Sequence, residues 1–179
     1  CSSSGNNYLF YLGKIIGDSI HTLYKDSLTN PSFNWGGTNF FLSSPSDRSV
    51  FFIRQDPDSS SFIASQDSGQ SFQHRLLPTT DSVTAMIFLN DHDGIITTGM
   101  GSGKIFSSND GGVNWRLSNQ SFSRGVKSVR RQNGRLYLLT FDSKIYHSAN
   151  GLNWTFYTEV PIAGIENFLF LGDPQDGFV

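Results

Sequence analysis

One short phrase recurs along this chain and limits the architectures open to it. Ser65-Gln-Asp67-Ser-Gly69-Gln-Ser-Phe72 and Ser108-Asn-Asp110-Gly-Gly112-Val-Asn-Trp115 share the pattern Ser-x-Asp-x-Gly-x-x-aromatic, 43 residues apart counted from Asp67 to Asp110. A shorter copy, Ser148-Ala-Asn150-Gly151-Leu-Asn-Trp154, follows with its Trp 39 residues after Trp115. An eroded copy, Asn30-Pro-Ser-Phe-Asn-Trp35, precedes the series. Each of the three fuller copies lies between two strand-like runs, such as Lys104–Ser107 before and Asn114–Leu117 after. A repeat of about 40 residues in a strand-rich sequence means stacked β sheets of about four strands each.

The residue types suit a tight hairpin. Gly69 and Gly112 can adopt positive φ without a Cβ clash. Asp67 and Asp110 can accept backbone N–H bonds inside the turn. Phe72, Trp115 and Trp154 can fold a large ring over it. Sixteen Phe, six Tyr and three Trp supply a β-rich interior.

The phrase resembles the Asp-box, also called the bacterial neuraminidase repeat, a mark of β-propeller blades. The first two copies match it throughout, with Phe72 in place of Trp. The resemblance runs over about residues 20–157. It implies that Ser65, Asp67, Gly69, Phe72, Ser108, Asp110, Gly112, Trp115, Ser148, Asn150, Gly151 and Trp154 are structural. Sialidases, xyloglucan hydrolases, sortilin-type receptor domains and photosystem II assembly factors carry the same repeat, with the box away from the active site. The expected fold is therefore an all-β propeller with about four blades of four antiparallel strands.

Strands are predicted, from the axis outward (A to D), at Asn39–Ser43, Val50–Arg54, Ser61–Ser65 and Ser71–Leu76 in blade two. Blade three takes Val83–Leu89, Gly94–Gly99, Lys104–Ser108 and Asn114–Leu117. Blade four takes Val126–Arg131, Arg135–Thr140, Lys144–Ser148 and Asn153–Thr158. Blade one shows only B (Asn7–Leu12), C (Ile20–Lys25) and a D remnant near Trp35. Blade boundaries fall near 7–37, 38–78, 79–120 and 121–160, with a further strand set begun over 161–179 by Glu166–Leu171. Two architectures fit: a longer propeller of which this is the N-terminal part, or a four-bladed ring closed by Glu166–Leu171 against Asn7–Leu12.

The only cysteine is Cys1, at the head of a polar stretch, residues 1–6. This looks like the mature end of a bacterial lipoprotein, with lipid on Cys1 as the sole membrane link. That reading places the protein in the bacterial cell envelope or outside the cell. The alternative is that Cys1 marks only where a fragment begins. Net charge is −2, so nothing suggests nucleic acid as a partner.

Candidate chemistry is sparse. Arg124-Gly-Val-Lys127-Ser-Val-Arg130-Arg131-Gln-Asn-Gly-Arg135 holds five of the thirteen Lys and Arg residues. Strict alternation puts Lys127, Val129 and Arg131 on one strand face and Val126, Ser128 and Arg130 on the other. Lys127, Arg130 and Arg131 are the candidate ligand-binding residues, as an anion site near the axis or as a solvated rim. Phe122 and Tyr157 are candidate exposed rings at the blade tops. Sialidase chemistry needs an Arg triad, a Tyr nucleophile with a Glu partner and an acid/base Asp. The sequence has no Arg-Ile-Pro opening and only Glu159 and Glu166. None of His21, His74, His92 and His147 has metal-ligand spacing, and Asp91-His92-Asp93-Gly94 reads as a solvated turn. No catalytic residue, metal or cofactor is assigned. The leading expectation is a non-catalytic binding module for a protein or glycan. The alternative is the N-terminal part of a sialidase-like or xyloglucan-hydrolase-like enzyme.

Overall fold

The computed structural model describes residues 6–16, 19–30, 39–55, 60–99, 101 and 103–161. All regular structure among them is β-strand. Strands β1 (Asn6–Ile16) and β2 (Ser19–Asn30) form a two-stranded antiparallel sheet. Three four-stranded antiparallel sheets follow, each in sequence order from inner to outer strand. Blade two is β3 (Asn39–Ser43), β4 (Val50–Gln55), β5 (Ser60–Ser65) and β6 (Gln73–Leu76). Blade three is β7 (Val83–Phe88), β8 (Gly94–Thr98), β9 (Gly103–Ser108) and β10 (Arg116–Phe122). Blade four is β11 (Val126–Gln132), β12 (Arg135–Thr140), β13 (Lys144–Ser148) and β14 (Thr155–Glu159). These twelve strands lie where the sequence puts them, to within two residues at each end, except that β10 runs on to Phe122, five residues past its expected end. The N-terminal pair is longer than expected. Trp35, Glu166–Leu171 and Cys1 lie outside the described residues.

The middle strands are buried on both faces, so β4, β8 and β12 read as nearly unbroken apolar runs. One face of each blade packs on the next. Phe51, Ile53 and Phe62 of blade two meet Phe88, Ile96 and Phe106 of blade three. Ile95 and Ile105 of blade three meet Val126, Leu136 and Leu138 of blade four. The inner strands β3, β7 and β11 lie side by side. From the N-terminal hairpin, Tyr24 packs on Phe52 of β4 and on Phe72 just before β6, with ring centroids 5.1 and 5.0 Å away.

Two inner strands carry a bulge. In β7, Val83 pairs with Thr98 and Ala85 with Thr97, leaving Thr84 extra. In β11, Val126 pairs with Thr140 and Ser128 with Leu139, leaving Lys127 extra. A bulge breaks the two-residue alternation. The expected grouping of Lys127 with Val129 and Arg131 therefore does not hold. Val126 shares a face with Val129 and Arg131, turned toward blade three, and Lys127 is re-aimed at the start of the strand.

Candidate functional site

A four-stranded meander has two unlike ends. The A–B and C–D connections lie at one end, and the B–C connections and the D–A links between blades lie at the other. The repeated phrases are C–D turns and occupy the first end.

There the side chains build the turns atom by atom. The Ser65 hydroxyl donates to Asp67 Oδ1 at 2.8 Å and accepts from Gly69 N at 3.0 Å. Asp67 also accepts from Ser71 N at 3.0 Å and from the Ser71 hydroxyl at 2.5 Å. Ser108 repeats the bonds to Asp110 Oδ1 and Gly112 N, and Asn114 takes the part of Ser71. In the short copy, Ser148 accepts from Gly151 N at 2.8 Å, while Asn150 Oδ1 accepts from Leu152 N and Asn153 N. The bonds from Ser71 and then Ser65 hold the Asp67 carboxyl at about 2, against an ordinary 3.8. Asp110 is held at about 2 in the same way, first by the Asn114 backbone.

These turns also grip the preceding blade. Gly112 has φ +81°, and a Cβ there would lie 2.4 Å from the Phe62 ring. Gly151 has φ +76°, and its Cβ would lie 2.1 Å from Ile95 Cδ1. The Trp115 ring stands edge-on to Phe62 and Phe88, with centroids 5.5 and 6.0 Å away. Trp154 is buried among Ile95, Phe122, Val126 and Leu136, and its indole N–H donates to Gly151 O at 3.1 Å. The A–B turns join this end. The Ser46 hydroxyl donates to Asp91 at 2.6 Å, Gln66 donates to Asp91 O, and Gly111 N donates to His92 O. With Asp93 bonded to Asn90, this turn is held by hydrogen bonds within the protein. No group of three metal-binding side chains occurs among the described residues.

The B–C end differs. Here an open cleft of about 510 Å³ is lined by Gly101, Ser123, Arg124, Phe141 and Asp142. Gly101 belongs to the β8–β9 connection, residues 123 and 124 to the link between blades three and four, and residues 141 and 142 to the β12–β13 connection. The Phe141 ring is 48% exposed, with Lys127 Nζ 5.6 Å above its centroid. That geometry suits a cation–π contact. Arg124 is exposed and makes no hydrogen bond or ion pair among the described residues. Asp142 accepts from the Thr140 hydroxyl at 2.5 Å and pairs with Lys144 at 2.9 Å. Burial works against its charge, but the Thr140 and Lys144 bonds outweigh it and keep the carboxyl below its ordinary value.

The three candidate ligand-binding residues are therefore not gathered in one place. Lys127 lies over the Phe141 ring at the edge of the cleft. Arg131 lies four residues along β11, about 13 Å away at strand rise, and donates to Leu89 O at 3.2 Å. Arg130 is exposed on the opposite face of the strand from Arg131. Phe122, expected as an exposed ring, is 6% exposed in the core between blades three and four. Tyr157 is half-buried against Tyr137 and His147. Arg124, Phe141 and Asp142 were not singled out from sequence, although Arg124 sits at the head of the basic cluster. The signal was there: Arg124 occupies the repeat position that Asp81 holds 43 residues earlier.

Comparison with solved structures agrees on a propeller. A structure of YCF48 bound to D1 peptide matches with a TM-score of 0.51, at 17% identity, over 66% of this chain and 40% of that one. YCF48 from Cyanidioschyzon merolae matches with a TM-score of 0.51, at 16% identity, over 80% of this chain and 47% of that one. A GH74 enzyme from Niastella koreensis matches with a TM-score of 0.49, at 16% identity, over 68% and 22%. No family model and no curated protein matches the sequence. This chain spans less than half the length of each of these solved chains. At such identity the likeness carries the fold, and the fold is an all-β propeller of four-stranded antiparallel blades.

Proposed function

We propose that this chain is a non-catalytic binding module of the Asp-box propeller type, and that its B–C end receives a protein partner as an extended peptide. The carrying observation is the cleft between blades three and four, which a half-exposed Phe141 and an exposed Arg124 both line. Loops on a rigid sheet scaffold are the usual place for binding groups, and this end of the blades is free of the interlocked turns. The acid in the cleft lining is Asp142, which stays ionised in its pair with Lys144 and so is a poor proton donor near neutrality. Glycoside hydrolysis uses two carboxyl groups across the scissile bond, and the described cleft lining supplies one. A propeller of the same fold that holds a peptide, YCF48, supports a peptide as the ligand class.

Selection of random displayed peptides on the immobilised chain tests this. Enriched peptides should lose binding to Phe141→Asp and keep it to Val113→Asp, a change on an exposed residue at the other end. The reverse pattern would overturn the proposal, as would release of reducing sugar from xyloglucan by the chain.

A further inference from the structure

Equivalent positions at two blade junctions carry opposite charge. Between blades two and three, Asp81 stands two residues before the first residue of β7 and pairs with Lys104 Nζ at 2.7 Å. Arg124 stands two residues before the first residue of β11. Hydrogen bonds establish the equivalence independently of counting. Gly99 N donates to Ser82 O at the first junction, and Phe141 N donates to Gly125 O at the second. The third strands of blades three and four each keep a lysine near the start, Lys104 and Lys144. Lys144, however, takes its carboxylate from Asp142 in its own loop. The acid that closes the first junction is thus replaced at the second by a guanidinium, and the nearby lysine is already satisfied.

We infer that Arg124, aided by Lys127, is a carboxylate clamp, and that its ligand is an acidic peptide segment with an apolar residue beside the acid. This rests on the peptide-binding reading of the B–C end. An incoming Asp or Glu side chain would pair with the guanidinium that takes the place of Asp81 at this junction. Guanidinium presents two parallel N–H donors to a carboxylate, which gives orientation as well as strength. Lys127 adds a second positive charge, and its alkyl stem and the Phe141 ring supply an apolar platform. Asp142 adds little repulsion, because Lys144 neutralises it.

The probe is a fluorescein-labelled peptide of glutamate, phenylalanine and glutamate flanked by glycines, titrated against the whole chain at low and at moderate salt. Saturable binding that weakens with salt is the expected result. Exchanging both glutamates for glutamine should weaken it at least about tenfold, the scale of one lost charge-assisted bond. Arg124→Asp should do the same while leaving the melting temperature unchanged or higher, and Arg124→Gln serves if that variant does not fold. Equal binding of the glutamine peptide would overturn the clamp. So would full binding by the Arg124 variants, or stronger Arg124-dependent binding of an oligogalacturonate. If neutral peptides bind in a Phe141-dependent way and the glutamate peptide does not, the clamp is wrong and the peptide-binding reading stands.

Discussion

Between blades two and three, the strand ends farthest from the repeated turns are tied together by side chains; between blades three and four, the same ends meet backbone to backbone, with Gly125 against Gly99 and Gly103, and an open cleft lies beside them. At the first junction the Gln55 amide spans the gap. It donates to Asp81 O at 3.4 Å and accepts from Val83 N at 3.1 Å, while Asp81 pairs with Lys104. At the second junction the residue in the place of Gln55 is Gly99, which has no side chain to span the gap. Arg124 and Phe141 line the cleft there, with Lys127 over the Phe141 ring. The turn ends of both junctions, by contrast, are built alike, with a glycine at positive φ pressed against the preceding blade. One half of each repeat is held constant by packing, and the other half is free to differ. A binding site can arise in the free half at little cost to the fold.

The largest expected effect tests whether the tight halves are equivalent. Alanine at Gly112 or Gly151 meets both a left-handed backbone and a side chain within 2.5 Å. Strain and overpacking together should cost about 3 kcal/mol at each site. Denaturant titration of both variants measures it, and a cost near zero at either site would mean that the two junctions are not built alike at this end.

The next effect separates the other halves. Gln55→Ala leaves the Val83 N–H and the Asp81 carbonyl without their partner and should cost about 1–2 kcal/mol. Hydrogen exchange at Val83 should quicken, with exchange at Val126 unchanged. Equal quickening at Val126 would show that the two junctions open together rather than separately.

Acid distinguishes the turns themselves. Asp67 and Asp110 have carboxyl values near 2 in the folded chain, below the ordinary 3.8. The unfolded chain therefore binds protons first as pH falls. The stability these groups confer is complete above about pH 5 and is lost as pH drops through 3.8 toward 2. Blade four, with Asn150 at that position, has no such group. Asp67→Asn and Asp110→Asn should flatten the acid limb of a stability-versus-pH curve, and Asn150→Asp should steepen it. An acid limb that none of the three changes alters would assign acid sensitivity to other carboxyls.

How far the sequence foretold this depends on the range of the interactions. The turns were legible because Ser65, Asp67 and Gly69 act on one another within five residues. The twelve strands of blades two to four were legible because their turns punctuate them. The bulges at Thr84 and Lys127 were not, since a bulge exists only in the pairing of two strands, and strict alternation therefore set Arg131 beside Lys127. Phe122 read as exposed because its burial depends on blade four folding back over it. Phe141 escaped notice because the B–C connections differ in length between blades, so the glycine in its place, Gly99, aligns only through the shared hydrogen bond.

The smallest predicted effect bears most on the meaning of the charge inversion. Asp81 and Lys104 are each about two-fifths exposed, and ion pairs so placed contribute little, about 0–1 kcal/mol. Asp81→Asn should therefore lower stability by less than about 1 kcal/mol, measured by denaturant titration, and added salt should shrink the difference further. The role of Arg124 turns on this small number. If the Asp81 pair contributes almost nothing, the fold places no demand on the charge at this repeat position, and an arginine there has to be accounted for by what it can bind. A loss of 2 kcal/mol or more would make the acid a structural requirement of a closed junction. Arg124 would then be one half of a different packing arrangement between blades three and four, and the open cleft its by-product.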